Sequence, residues 1–373
     1  KTFLEAFADM PGFKTTLQGK TTSWLVWFMF IGVIPSLAGM GGLAGAVAEA
    51  GHMMIPQISV QLWVLICCLG TWLILFGGSY HALERILLVM VLFFSCVTMY
   101  IAFSMQATPY EVNVAQIYQG LSFDFPMEHL ALALAVFGFT GISYGEIMAY
   151  TYWCLEKGYA QDNQGDIQKT KGWIKVMQTD VWLTVLFITI GTLPFFFLGS
   201  GVLYQDQELQ ELLKSTSFWE IEIIDLLQNM FALVLGSWAK WLFVLLAFFV
   251  LFSTLLSGTA AFTRTIADYF ISTGLILERK DTRINLIKII AFVIPFLSGL
   301  FYFILPNPIT LFIIAGVWAA LGLPIVNIGA LFLISKLDKE LQPKAFTKII
   351  LWASLAFQVF MAFILLLDNF QII

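Results

Sequence analysis

Residues 137–146 read Phe137-Gly138-Phe139-Thr140-Gly141-Ile142-Ser143-Tyr144-Gly145-Glu146. Glycine in a helix interior costs about 1 kcal/mol relative to Ala, so the run predicts a helix break over Gly138, Gly141 and Gly145. Unwound backbone at membrane depth persists only where it is buried in protein or lines a watery cavity. Its free carbonyls are then ready ligands for a cation. Glu146, placed beside the break, would bind a metal directly. Glu146 would alternatively take up a proton, because an intramembrane carboxylate costs roughly 2.5–3.5 kcal/mol and usually pairs or serves an ion pathway. Against this stand two plainer readings: glycines that merely let helices pack closely, and a glutamate in a salt bridge or hydrogen bond to a neighbouring helix.

Other polar residues carry weaker signals. Asp180, followed by Thr184 and Thr189, lies one turn into an apolar stretch and is a second candidate for a proton pathway. Asn327 follows Pro324, where a kink is expected. Glu49 and Asp268 are expected at helix ends within reach of solvent, and Glu84-Arg85 and Glu156-Lys157 as surface anchors. His52, His81 and His129 lack paired ligand spacing, and Cys67, Cys68, Cys96 and Cys154 read as buried thiols. No paired carboxylates, His/Glu metal motif or Ser/Lys dyad stands at convincing spacing, so no enzyme is expected. No resident cofactor is expected either.

The elements that must position these residues are apolar. Of the 373 residues 60% are hydrophobic and 12% charged, about half the charge of an ordinary soluble domain. Runs long enough to cross a roughly 30 Å hydrocarbon layer recur throughout. They predict nine spans, near 24–48, 59–78, 84–106, 128–153, 175–203, 236–270, 284–305, 308–335 and 345–368. No basic block interleaved with aromatics points to nucleic acid; the partners expected are the bilayer, protons and a cation. Seventeen of the nineteen Lys and Arg fall on alternate connections, leaving Lys214 and Lys240 opposite. Since cytoplasmic loops collect basic residues, the segment before the first span is expected inside and the tail outside. Lys1 stands where Met is usual, with no signal peptide before the first span, which predicts an incomplete N-terminus.

An internal echo bears on architecture. Leu37-Ala38-Gly39 and Val47-Ala48-Glu49 recur as Leu256-Ser257-Gly258 and Ile266-Ala267-Asp268 at a constant offset of 219. The two helices run in opposite directions by the charge pattern, as an inverted repeat requires. The expected division is the remainder of a first repeat over 24–106, a second repeat over 128–335, and an extra helix over 345–368, all in one transmembrane domain spanning 1–373. A five-plus-five arrangement would need two further spans before Lys1.

Three stretches resemble the NRAMP divalent-metal transporter family, particularly its divergent bacterial-type relatives. Gly77-Gly78-Ser79-Tyr80-His81-Ala82-Leu83-Glu84-Arg85 is similar to that family's turn between the fourth and fifth helices. Gly138 to Tyr159, with Tyr150-Thr151-Tyr152-Trp153-Cys154-Leu155-Glu156-Lys157-Gly158-Tyr159, resembles the relatives' sixth helix and its exit, and Ala239 to Asp268 their eighth. The resemblance implies an all-α polytopic membrane protein with the inverted-repeat, LeuT-like (APC) fold, its nine spans being the third to eleventh helices. It implies transport of manganese, iron or a magnesium-like cation by alternating access, usually coupled to protons, in a membrane of the bacterial inner type. The family's Asp-Pro-Gly-Asn motif belongs to an absent helix. Its Met-Pro-His motif is also missing; the nearest equivalent is Ile142-Ser143-Tyr144. Of that family's ligands the resemblance carries over only the backbone carbonyls around Thr140 and Gly141. Loss of the thioether removes a soft ligand that favours manganese and iron over magnesium, which implies a harder site using Ser143 or Glu146, suited to magnesium or manganese. The alternative on the same fold is a sodium- or proton-coupled carrier of an organic solute.

Overall fold

The computed structural model describes residues 2–77, 80–122, 136, 143–160, 165–207, 211, 223–279 and 281–369, and the elements named are those of these residues. A short helix α1 (Phe3–Ala8), closed by a Thr2/Glu5 capping box, precedes an antiparallel hairpin of β1 (Lys14–Leu17) and β2 (Lys20–Ser23). The hairpin is an addition to the expected all-helical pattern; Gln18 and Gly19 turn it, both at positive φ.

Helices α2 (Trp24–Ile31) and α3 (Val33–Met54) form one apolar length interrupted at Gly32. Pro35 accounts for the interruption, since it offers no N–H to the Ile31 carbonyl and its ring crowds that oxygen. Then come α4 (Val60–Gly77), α5 (Tyr80–Met105) and the short α6 (Val114–Gly120). After them are α7 (Tyr144–Glu156), α8 (Ile167–Leu198), which runs on into a π-helical turn at Gly199–Leu203, and α9 (Ile223–Leu235). The chain continues through α10 (Ala239–Ser272), α11 (Thr282–Ile304), α12 (Pro308–Lys336) and α13 (Ala345–Asn369).

Among the described residues seven lengths are long and apolar enough to cross a membrane: Trp24–Met54, Leu87–Met105, Ile167–Leu203, Ala239–Ser272, Thr282–Ile304, Pro308–Lys336 and Ala345–Leu365. The second expected span is a shorter apolar helix, Val60–Phe76. Of the fourth, only residue 136 and Ser143 onward are described. The connection expected between the fifth and sixth spans holds α9, which buries Ile224, Leu226, Met230 and Phe231.

Helix α3 is the hub, packing on α4, α10, α11 and α12. Small residues make that possible, since backbones approach closely only where side chains are minimal. A Cβ at Gly45 would stand 2.2 Å from the Tyr302 ring, and one at Gly41 would stand 2.6 Å from the Ser298 carbonyl oxygen. Outward faces carry the opposite composition: Phe93 and Phe103 on α5, Trp182 and Leu186 on α8, and Phe357 and Phe363 on α13 are exposed. A fold that is apolar on its outer surface and packed through small residues within has lipid as its solvent.

Candidate functional site

Of the residues expected at the site, Gly138, Thr140 and Gly141 lie outside the described residues, whereas Ser143, Gly145, Glu146 and Asp180 lie within them. Ser143 is the N-cap of α7, with extended backbone, and Glu146 is the third residue of the helix. The two form a capping box in which the Glu146 carboxylate accepts the Ser143 backbone N–H. This satisfies a donor that the helix start leaves unpaired and places negative charge at the positive end of the dipole. Glu146 therefore folds back on its own helix, rather than reaching a neighbouring one. Gly145 is helical, in the first turn, and both it and Glu146 are exposed.

Between them Tyr144 points into the protein. It is buried, its ring fills the space above Gly322 of α12, where a Cβ would lie 2.5 Å away, and its hydroxyl donates to the Gly32 carbonyl at 3.5 Å. The Ser36 hydroxyl donates to the same carbonyl at 2.8 Å. That oxygen also accepts the Ser36 N–H at 3.2 Å and neighbours the Ile31 carbonyl that Pro35 leaves without its helical donor, so the α2/α3 interruption meets the first residue of α7. Trp318 of α12 completes the wall, stacked on Phe28 at 5.1 Å between ring centroids. Neither Tyr144 nor the Gly32/Pro35 interruption was singled out from sequence, although Pro35 three residues after a glycine was a usable signal.

Asp180 is not beside Glu146 in any contact of the structure. It is half-buried on α8 and accepts the Tyr159 hydroxyl at 2.8 Å, while Tyr159 stacks on Trp173 at 4.9 Å. Thr184 and Thr189 donate to carbonyls of their own helix. Asn327 donates to the Gln358 Oε1 at 3.2 Å, tying α12 to α13. His52 bonds the Ile58 carbonyl at 2.7 Å. Among the described residues no three His, Cys, Asp or Glu side chains converge as a metal group would require. A cation at the start of α7 would thus draw on Ser143, Glu146 and backbone carbonyls, a hard oxygen set.

Two expectations are corrected. Asp268 is not at a solvated helix end: it is fully buried, accepts the Tyr152 hydroxyl at 2.6 Å and pairs with Arg283. A lone acid read near the end of an apolar run gave no hint of partners supplied by two other helices. Cys96 is not a buried thiol but is exposed on α5, while Cys67, Cys68 and Cys154 are buried and all four are free.

The fold defines a polytopic α-helical membrane protein. Comparison with protein families makes the assignment specific: the model of the Nramp family, described as natural resistance-associated macrophage protein-like, matches residues 14–368. The match takes in nearly the whole chain, and the protein belongs to that family. It is an integral membrane protein of a transporter family, and family membership supports a divalent metal ion as cargo in preference to an organic solute. No curated protein matches the chain.

Proposed function

We propose that the protein carries a divalent cation by alternating access around the start of α7, with Glu146 and Ser143 as its side-chain ligands and the carbonyls of Thr140 and Gly141 as further oxygens. The observation that carries this reading is the capping box. Glu146 is held at a helix start by a bond to the Ser143 N–H, and a carboxylate so placed can exchange that donor for a cation. Losing a cap interaction costs roughly 1 kcal/mol, a small opposing term. The all-oxygen donor set suits magnesium or manganese better than a softer ion.

Proton coupling belongs to the same proposal, with Glu146 and Asp180 as the groups that take up and pass the proton. The inverted repeat over 24–106 and 128–335, with 345–368 as the added helix, is also proposed. It is supported by α3 packing against α10 and by the two echoed carboxylates each accepting a tyrosine hydroxyl, Glu49 from Tyr302 and Asp268 from Tyr152. We place the protein in a bacterial inner-type membrane with the segment before α2 inside.

The test is calorimetric titration of the purified protein with Mn²⁺ and Mg²⁺, wild type against Glu146→Gln. Glutamine at the third helical position preserves a capping box and removes only the charge, so capping and ligation are separated. Weakening of saturable binding by tenfold or more is expected. Unchanged binding would remove Glu146 from the site, and no binding of either ion to folded wild type would return the organic-solute carrier to first place.

A further inference from the structure

Helix α7 is fastened at the end away from Ser143 by a polar ladder that the metal site does not use. Tyr152 and Glu156 are one helical turn apart, as are Arg264 and Asp268 on α10, and the pairs meet in reversed order. The Tyr152 hydroxyl is 2.6 Å from Asp268 Oδ2, and Glu156 Oε1 is 3.0 Å from Arg264 Nε. The Arg264 guanidinium also lies 4.9 Å over the Trp153 ring. One turn nearer the site, Met148 Sδ is 3.9 Å from the Tyr269 hydroxyl. Arg283, in the first turn of α11, takes the other Asp268 oxygen. Asp268 therefore joins three helices from a position with no exposed surface.

A contact meant only to hold α7 down would be as well made by apolar side chains, since buried ion pairs add little net stability but are costly to leave half-made. What the ladder supplies is register. Sliding α7 by one turn would carry Tyr152 about 5.4 Å from Asp268. Ser143 stands nine residues, or about 14 Å, along the same rigid helix, so its axial position is set from Asp268.

We propose that Tyr152, Asp268 and Arg283 form a latch that holds the site-bearing half-helix on α10 and α11 in this conformation and opens when the transporter changes state. Asp268 is a positioning residue that acts through Tyr152. The proposal rests on the alternating-access reading above, but its test is made without metal, so its failure and that of the cation site are distinguishable.

The chain contains its own reporter. Cys154 lies on α7 between the two rungs and is 8% exposed. Its alkylation by N-ethylmaleimide, followed by mass spectrometry of the peptide in metal-free detergent, measures release of the helix. Tyr152→Phe removes only the donor, and Arg283→Gln removes the charge of a side chain that is already 35% exposed. Tyr152→Phe should raise the Cys154 rate about tenfold, the size expected for a hydrogen bond to a charged group, and Arg283→Gln, which leaves the buried Asp268 charge without its partner, by more than that, while the protein stays monodisperse. In proteoliposomes each should change KM and maximal Mn²⁺ uptake by different factors. Cys154 rates within twofold of wild type in both folded variants would overturn the latch. So would loss of folded protein in both, since that would make the network a structural brace; if only Tyr152→Phe fails to fold, Arg283→Gln decides.

Discussion

At the scale of single residues, the chemistry of the chain turns on carboxylates whose environments differ. Glu146 is exposed and bonded within its own helix; Asp180 is half-buried with one tyrosine donor; Asp268 is fully buried with a tyrosine and an arginine. Burial decides which of these can be altered lightly, because removing one partner of a buried charge leaves the other uncompensated. Asp268→Ala strands Arg283 and Tyr152 and is expected to cost about 3 kcal/mol or more, seen as loss of monodisperse protein. Tyr159→Phe should lower stability by only about 1 kcal/mol, because Asp180 is only half-buried; a detergent-phase denaturation midpoint measures it. If Asp180 carries protons, Asp180→Asn should abolish the acidification that accompanies metal uptake while Tyr159→Phe leaves it in place. A pH-sensitive dye inside proteoliposomes reads the difference.

At the scale of elements, glycine has two unlike roles in these helices. On α3, Gly45 lies against the Tyr302 ring with no room for a methyl group, while Gly172 on α8 has nothing within 4 Å of where a Cβ would stand. Gly45→Ala forces α3 and α11 apart and is expected to destabilise by about 1–3 kcal/mol. Gly172→Ala removes only the entropic cost of glycine in a helix and should stabilise by up to about 1 kcal/mol. Opposite shifts in the two unfolding midpoints would bear this out, and equal shifts would contradict the packing argument. Interruptions act differently again. At the α2/α3 junction Pro35 leaves the Ile31 carbonyl without its helical donor, and Tyr144 donates to the neighbouring Gly32 carbonyl, which ties the start of α7 to the interruption.

At the scale of the whole molecule, the sidedness proposed above rests on the charge pattern. Lys171 pairs with Glu340 at 2.9 Å, which brings the start of α8 to the α12–α13 connection, as the alternation of basic loops requires. In right-side-out vesicles a membrane-impermeant amine reagent should reach Lys240 and leave Lys169, Lys339 and Lys344 unmodified until the membrane is opened. The reverse pattern would invert the orientation. What the sequence by itself determined is the solvent and most of the long helices, because both depend on local composition: apolar length makes a membrane helix, and Pro, Gly and charge end it. The β1–β2 hairpin and α9 were not read from it. Ser143 and Glu146 were legible as polar residues beside a helix break, but the capping box they form was not read from sequence. The partners of Asp268 were not legible, because Tyr152 and Arg283 stand 116 and 15 residues away in sequence. Nor was the meeting of Tyr144 with Gly32, across 112 residues. Only the tertiary structure decided these, since which polar groups share a buried space depends on how helices pack, and apolar stretches of similar composition are nearly interchangeable until they do.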